Sequence, residues 1–114
     1  MNPEIICGIE LELEYDENKL NIEIGDYHGI HPSWFSDCFL AEQDGSLDSS
    51  RWNSTAEIVS IPFLLKDYKM ILDDFKESIY RNVAEYDNSS IKQIKDMYKL
   101  DDLICFNSTT GAHI

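Results

Sequence analysis

Residues 8–15 read Gly-Ile-Glu-Leu-Glu-Leu-Glu-Tyr, and apolar and acidic residues alternate strictly along this stretch. Successive side chains of a β-strand point to opposite faces of its sheet, so the alternation predicts a strand with one apolar face. The other face would carry Glu10, Glu12 and Glu14, spaced roughly 7 Å apart by the rise of the strand. Two interpretations of this acidic face are open: it is the water-exposed side of an antiparallel strand, or it supplies ligands for a hard cation such as Mg²⁺.

The length and composition of the chain describe one small globular domain. Its 114 residues are 43% hydrophobic and 11% aromatic, which is enough apolar material to build a core. The formal net charge is −13, from 22 acidic and 9 basic residues. This balance argues against nucleic acid and anionic membrane surfaces as partners, because both are bound by clustered lysine and arginine.

The cysteines and the start of the chain predict a cytoplasmic protein. No basic n-region followed by an apolar h-region opens the sequence, and no apolar run approaches the roughly 18 residues that a membrane span needs. The three cysteines, Cys7, Cys38 and Cys105, are odd in number and show no CxxC spacing. We therefore expect them to be reduced core thiols.

The sequence predicts strands in the front half and at the end of the chain, with helices between them. Turn-like and loop-like sequence separates the front strands, and residues 26–37 are expected to be a loop. Strands are predicted over residues 4–15, 19–25, 38–42, 54–60, 103–106 and from 112 onward, with the first two forming a hairpin.

Apolar residues between Leu64 and Val83 recur at spacings of three and four. This period predicts one amphipathic helix over residues 64–85 whose apolar stripe faces a sheet. Ser90 and Gln93 match a capping box that would begin a shorter helix, which extends to about residue 100. The predicted fold class is α+β, an antiparallel-rich sheet with one long and one short helix on one face.

Four segments resemble, in order and spacing, the motifs of the amidoligase family: GIELE (8–12), DGSL (44–47), EIVSIPF (57–63) and NSTTGAHI (107–114). The family pattern is a GxExE strand, a D-x-S turn, an E-(L/I/V)-V-S-P-P segment, a helical stretch and T-x-G-(L/I/V/A)-H-(V/I)-H. The resemblance covers essentially the whole chain and implies part of a glutamine-synthetase-like catalytic domain. The chain departs from the pattern at Ile61, where the family has proline, and it ends before the second histidine.

The resemblance also implies which residues hold a metal. Glu10 and Glu12 match the two metal-binding carboxylates of the first catalytic strand, and Glu57 matches the carboxylate that shares one of those metals. His113 matches the first histidine of the GxHxH pair, which helps to hold the nucleotide-associated metal. Glu14 lies outside the motif, and we expect it to be solvated or ion-paired.

Asp44 and Ser46 match the D-x-S turn of the family, which makes them candidates for binding substrate. The same Asp-Gly-Ser sequence is equally typical of a plain hairpin turn. Both interpretations remain open at the level of the sequence.

The activity implied by the resemblance is that of an ATP-dependent carboxylate–amine ligase. Such an enzyme makes an amide or peptide bond through an acyl phosphate, with ATP as co-substrate and Mg²⁺ or Mn²⁺ as cofactor. Its partners would be small-molecule or peptide carboxylates and amines. Two alternatives stay open: a truncated or degenerate relative that binds metal or a protein partner without catalysis, and a phosphoester hydrolase that uses the same carboxylates with water as nucleophile.

The last residues of the chain look like the start of a strand. We expect residues 1–114 to be a single domain that forms the N-terminal portion of a longer catalytic domain. On that expectation the 114-residue chain binds Mg²⁺ or Mn²⁺ weakly and does not turn over by itself.

Overall fold

The computed structural model describes residues 4–25, 33–42, 52, 54–106 and 112–113, and these form a mixed fold of antiparallel sheets and two α-helices, as an α+β class requires. The strands are β1 (Ile6–Cys7), β2 (Glu10–Tyr15), β3 (Ser33–Trp34), β4 (Phe39–Glu42), β5 (Ser54–Ser60), β6 (Phe63–Leu64), β7 (Ile104–Cys105) and β8 (Ala112–His113). The helices are α1 (Tyr68–Asp87) and α2 (Ile91–Met97), with 3-10 turns over Leu65–Asp67 and Leu100–Asp102.

The alternating stretch forms β2, the strand on which the main sheet is built. Within the described residues the sheet has six antiparallel strands in the order β3-β4-β5-β2-β7, and β8 also pairs with β2. The longest ladder joins β2 to β5, from the pair Glu10 and Val59 to the pair Tyr15 and Ser54. Leu11 is almost fully buried, as the alternation predicts.

The predicted strand over residues 4–15 is split at Gly8 and Ile9. Its first part, β1, pairs with β6 in a separate two-stranded sheet. At the break, the Ile9 N–H donates to the hydroxyl oxygen of Ser60 (2.8 Å), and the Ser60 N–H donates to the Ile9 carbonyl (2.9 Å). The Ser60 hydroxyl thus satisfies the Ile9 N–H at the point where the chain passes from the two-stranded sheet to the main sheet.

The predicted hairpin strand over residues 19–25 is wrong, since this fully described segment forms no strand. β5 occupies one edge of β2 and β7 and β8 occupy the other, so no edge remains for a hairpin partner. Leu20 and Ile22 are nevertheless buried, so the alternation of apolar residues in this segment reflects burial in the core. The backbone of Asn21 bonds to α1 instead: its N–H donates to Asn82 Oδ1 (3.0 Å), and Asn82 Nδ2 donates to its carbonyl (2.8 Å).

The long predicted helix exists, but it begins four residues later than residue 64. Phe63 and Leu64 pair with β1, and the Leu65 N–H donates to the Ile5 carbonyl (2.8 Å). Because these residues bond to the strand, the α-helix begins after them. The helix ends at Asp87, and the next residue, Asn88, has a left-handed φ of 57°, a conformation that asparagine tolerates.

α1 packs its apolar stripe on the apolar face of the main sheet. The Phe75 ring meets the Phe39 ring of β4 edge-on, with 5.7 Å between centroids. One core unites the buried residues of the sheet and both helices; its α1 members are Ile71, Phe75, Ile79, Val83 and Ala84. The opposite, acidic face of the sheet is therefore not covered by α1.

The shorter predicted elements differ in how far they match. The capping box is confirmed, with the Gln93 N–H donating to Ser90 Oγ (3.1 Å) and the Ser90 N–H donating to Gln93 Oε1 (2.9 Å), although α2 ends at Met97. The strands predicted over 38–42, 54–60, 103–106 and from 112 appear as β4, β5, β7 and β8. Residues 33–34 of the predicted loop form β3, while the rest of it up to residue 32, and the turn at 44–45, lie outside the described residues.

No helix in the described part of the chain is both long enough and apolar enough to cross a membrane.

Candidate metal centre

The register of β2 and β5 brings together three carboxylates of the acidic face. Glu12 and Glu57 are directly paired across the two strands, and Glu10 lies two residues along β2. One carboxylate oxygen from each of the three residues lies within 4.8 Å of the others. Glu10, Glu12 and Glu57 therefore lie on the same side of the sheet, while their metal-binding role stays a prediction.

The surroundings of this carboxylate cluster (Glu10, Glu12 and Glu57) suit a hydrated hard cation. Glu10 is exposed, and Glu12 and Glu57 are half-buried, so water reaches the site from one side. The like charges of the three carboxylates repel one another, although water screens this repulsion at the exposed Glu10. A divalent cation would offset this repulsion, and Mg²⁺ takes carboxylate oxygens while keeping several of its waters. The donor set therefore fits Mg²⁺ or Mn²⁺ better than a softer metal.

The backbone of His113 lies beside the carboxylate cluster. β8 pairs antiparallel with the start of β2, and His113 is the Cα partner of Glu10. This places the residue on the strand next to the first of the three carboxylates. Its role as a metal ligand stays a prediction, and Asp44 and Ser46 lie outside the described residues.

Glu14 occupies the same face of β2 but lies in different surroundings. It is fully buried, with 0% of its surface exposed, and the Cys105 thiol donates a hydrogen bond to its Oε1 (3.0 Å). Of the two expectations for Glu14, solvation by water is wrong, and an ion pair stays a prediction. The register explains the contact, because β7 pairs with the end of β2 and makes Cys105 the direct neighbour of Glu14.

Sequence reasoning missed Glu42, which extends the row of carboxylates across the sheet. Glu42 is half-buried, and it is the Cα partner of Glu57 on the side away from Glu12. Three adjacent strands therefore each contribute a glutamate to one line across the sheet. The sequence signal was the position of Glu42 at the end of a predicted strand, but only the register shows which residue it faces.

The three cysteines are half-buried, and the described residues contain no disulfide. Burial, together with the negative charge of Asp74 and its hydrogen bond, raises the pKa of the Cys38 thiol. Asp74 also accepts a hydrogen bond from the Ser36 hydroxyl (2.7 Å). A raised pKa keeps the Cys38 thiol protonated and less reactive. The expectation of core thiols is wrong in that all three are only half-buried, and their reduced state stays a prediction.

The turn after β2 carries a stabilised carboxylate, Asp16. Burial alone would raise its pKa, but hydrogen bonds from Lys19 and from the Asn18 N–H, together with the Lys19 charge, outweigh this and lower the pKa. Lys19 Nζ lies 3.0 Å from Asp16 Oδ2. This carboxylate is thus held ionised by a cation of its own chain.

Comparisons of the chain with models of protein families, with curated proteins and with solved structures find no match.

Proposed function

We propose that the protein is an ATP- and Mg²⁺-dependent amidoligase with a glutamine-synthetase-like catalytic sheet, and that it acts in the cytoplasm. Its substrates would be a small-molecule or peptide carboxylate and an amine. The observation that carries the proposal is the convergence of Glu10, Glu12 and Glu57 within 4.8 Å, at the positions where the amidoligase motifs have metal ligands. The antiparallel sheet, with α1 on the face away from these carboxylates, supports the same proposal.

The proposed reaction forms one amide bond and consumes one ATP. A carboxylate oxygen of the first substrate attacks the γ-phosphorus of ATP, ADP leaves, and an acyl phosphate results. The amine nitrogen then attacks the acyl carbon, phosphate leaves, and the nitrogen loses its proton to solvent. A bound Mg²⁺ would supply charge neutralisation for the phosphate oxygens in the first step.

The residues of the chain would hold and orient the phosphate-bound cation. Glu12 and Glu57 lie on paired strands of the sheet, which fixes the separation of their backbones. Rigid strands suit this task better than loops, because a metal ligand must keep its position during phosphoryl transfer. Glu10 and, by the resemblance, His113 would complete the set from β2 and β8.

The test measures ADP release and amide formation by the natural protein that contains this sequence, using a panel of amines and carboxylates with Mg²⁺. Glu12→Gln and Glu57→Gln should each lower the rate of ligation by at least about 100-fold, since even indirect partners of metal ligands are worth about 10–100-fold. Asp73→Asn removes an exposed carboxylate of α1 and should leave the rate unchanged.

Other outcomes would replace the proposal. Amide formation that survives the Glu12→Gln and Glu57→Gln substitutions would show that these carboxylates have no catalytic role. Phosphoester cleavage without amide would identify a hydrolase. Metal binding without either reaction would identify a relative that has lost catalysis.

A further inference from the structure

A groove of about 450 Å³ lies between α1 and the segment that follows β2. Its walls include Asn21 and Glu23 from that segment and Asn82, Glu85 and Tyr86 from α1. The groove shares no residue with the carboxylate cluster. Because α1 packs on the apolar face of the sheet, the α1 wall lies on the side of the sheet away from those carboxylates.

Two large aromatic side chains at the groove are left open to solvent. Trp34 is 60% exposed and Tyr86 is 55% exposed, and both line the groove. Tryptophan and tyrosine rings present a negative electrostatic face, which attracts ammonium groups that lie over it. These rings therefore offer binding surface that the hydrophobic core does not use.

Two carboxylates give the same groove a negative charge. Glu23 and Glu85 are exposed, and neither forms an ion pair with any residue that the structure describes. None of the lining residues in the described part of the chain is basic. A cation entering the groove would meet carboxylates and aromatic faces without competition from a lysine or arginine of the described lining.

Hydrogen bonds tie two walls of the groove to each other. Asn21 and Asn82 exchange two bonds, of 3.0 and 2.8 Å, between the segment after β2 and α1. Glu23 and Glu85 follow these asparagines by two and three residues. These bonds fix the segment after β2 relative to α1, which lowers the entropic cost of ordering these two walls around a ligand.

We propose that this groove binds a small organic ammonium ion, with its alkylated nitrogen near Trp34 and Tyr86 and its charge balanced by Glu23 and Glu85. The volume falls within the range of about 300–1,000 Å³ that is typical of sites for small molecules. This inference does not rest on the proposed ligase activity, and either can fail without the other.

The experiment titrates choline into the full chain and follows the fluorescence of Trp34. Trp52→Phe removes the other of the two tryptophans, so the signal then comes from Trp34 alone. Choline should change the fluorescence saturably. Its neutral isostere 3,3-dimethylbutan-1-ol should bind at least about tenfold more weakly, because it fills the same space without charge.

The carboxylates are tested in the same assay. The double variant Glu23→Gln and Glu85→Gln should weaken choline binding by about tenfold or more, and Asp73→Asn should leave it unchanged. Amide chemical shifts of the wild-type chain give a second readout, in which choline should move the signals of Glu85 and Tyr86. The proposal is overturned if choline shows no saturable binding, or if the double variant binds choline like the wild type. It is also overturned if the isostere, or the uncharged sugar glucose, binds as tightly as choline.

Discussion

The two ends of the acidic face of β2 carry the same residue type in different surroundings. At one end Glu10 is exposed and Glu12 is half-buried, and both lie near Glu57 of β5. At the other end Glu14 is fully buried and accepts a hydrogen bond from Cys105 of β7. The period of the strand assigns all three glutamates to one face, but the neighbouring strands decide which carboxylates cluster and which is enclosed.

The largest stability difference should separate the two ends of this face. Glu14→Ala should lower the free energy of unfolding by about 2–4 kcal/mol, because it leaves a cavity and removes the acceptor of a buried hydrogen bond. Glu10→Ala removes an exposed side chain and should change it by no more than about 0.5 kcal/mol. Urea unfolding of both variants measures the difference. Equal losses of unfolding free energy would contradict the contrast between buried Glu14 and exposed Glu10.

Substitution of Cys105, the donor to Glu14, measures the contribution of this hydrogen bond separately. Cys105→Ser keeps a hydrogen-bond donor at the same position, whereas Cys105→Ala removes it. If the bond to Glu14 stabilises this end of β2, the alanine variant should lose about 1 kcal/mol more than the serine variant in the same urea experiment.

Asp16, directly after β2, is a third kind of carboxylate, because Lys19 holds it ionised. Its lowered pKa means that its contribution to stability is present above the unfolded-state pKa of about 3.9 and is lost as the pH falls through the lower folded-state pKa. Asp16→Asn should therefore cost about 1 kcal/mol at pH 7 and progressively less below pH 4. Unfolding curves measured across this pH range check the sign of the effect. A loss of stability in Asp16→Asn that grew as the pH fell would contradict it.

The smallest effect is expected on the helix side of the core, at Ser78. Its buried hydroxyl has no hydrogen-bond partner among the residues that the structure describes. Ser78→Ala should be neutral or stabilise the fold by up to about 1 kcal/mol, because an unpaired buried hydroxyl is removed. Ser60→Ala is the matched contrast, since the Ser60 hydroxyl accepts from the Ile9 N–H and its loss should destabilise by about 1 kcal/mol.

Local sequence patterns predict the elements of this fold that short-range spacing and turn residues specify. The capping box at Ser90 and Gln93 and the strand Ser54–Ser60 follow from spacing and turn residues alone. Residues 19–25 show the limit of this reasoning. Their alternation is that of a strand, but a ladder needs a free edge, and edges are occupied by segments far away in sequence.

The candidate site shows the same limit. The alternation at Glu10 and Glu12 predicts that they share a face, but the pairing with Glu57 depends on a register between β2 and β5, two strands that lie far apart in the sequence. Neither the contact of Glu42 with that row nor the burial of Glu14 has a local signal, since each depends on which strand lies alongside. Register is set by packing of the whole sheet, so it cannot be read from one segment.

We propose that Glu10, Glu12 and Glu57 form a site for a divalent cation. Titration of the chain with Mn²⁺, followed by electron paramagnetic resonance of the free ion, tests it directly, with Mg²⁺ added as competitor. We predict saturable Mn²⁺ binding that Mg²⁺ displaces and that Asp73→Asn leaves unchanged. The triple variant Glu10→Gln, Glu12→Gln and Glu57→Gln should bind Mn²⁺ at least about 100-fold more weakly. Binding of equal affinity by the folded triple variant, or no saturable binding by the wild type, would contradict it.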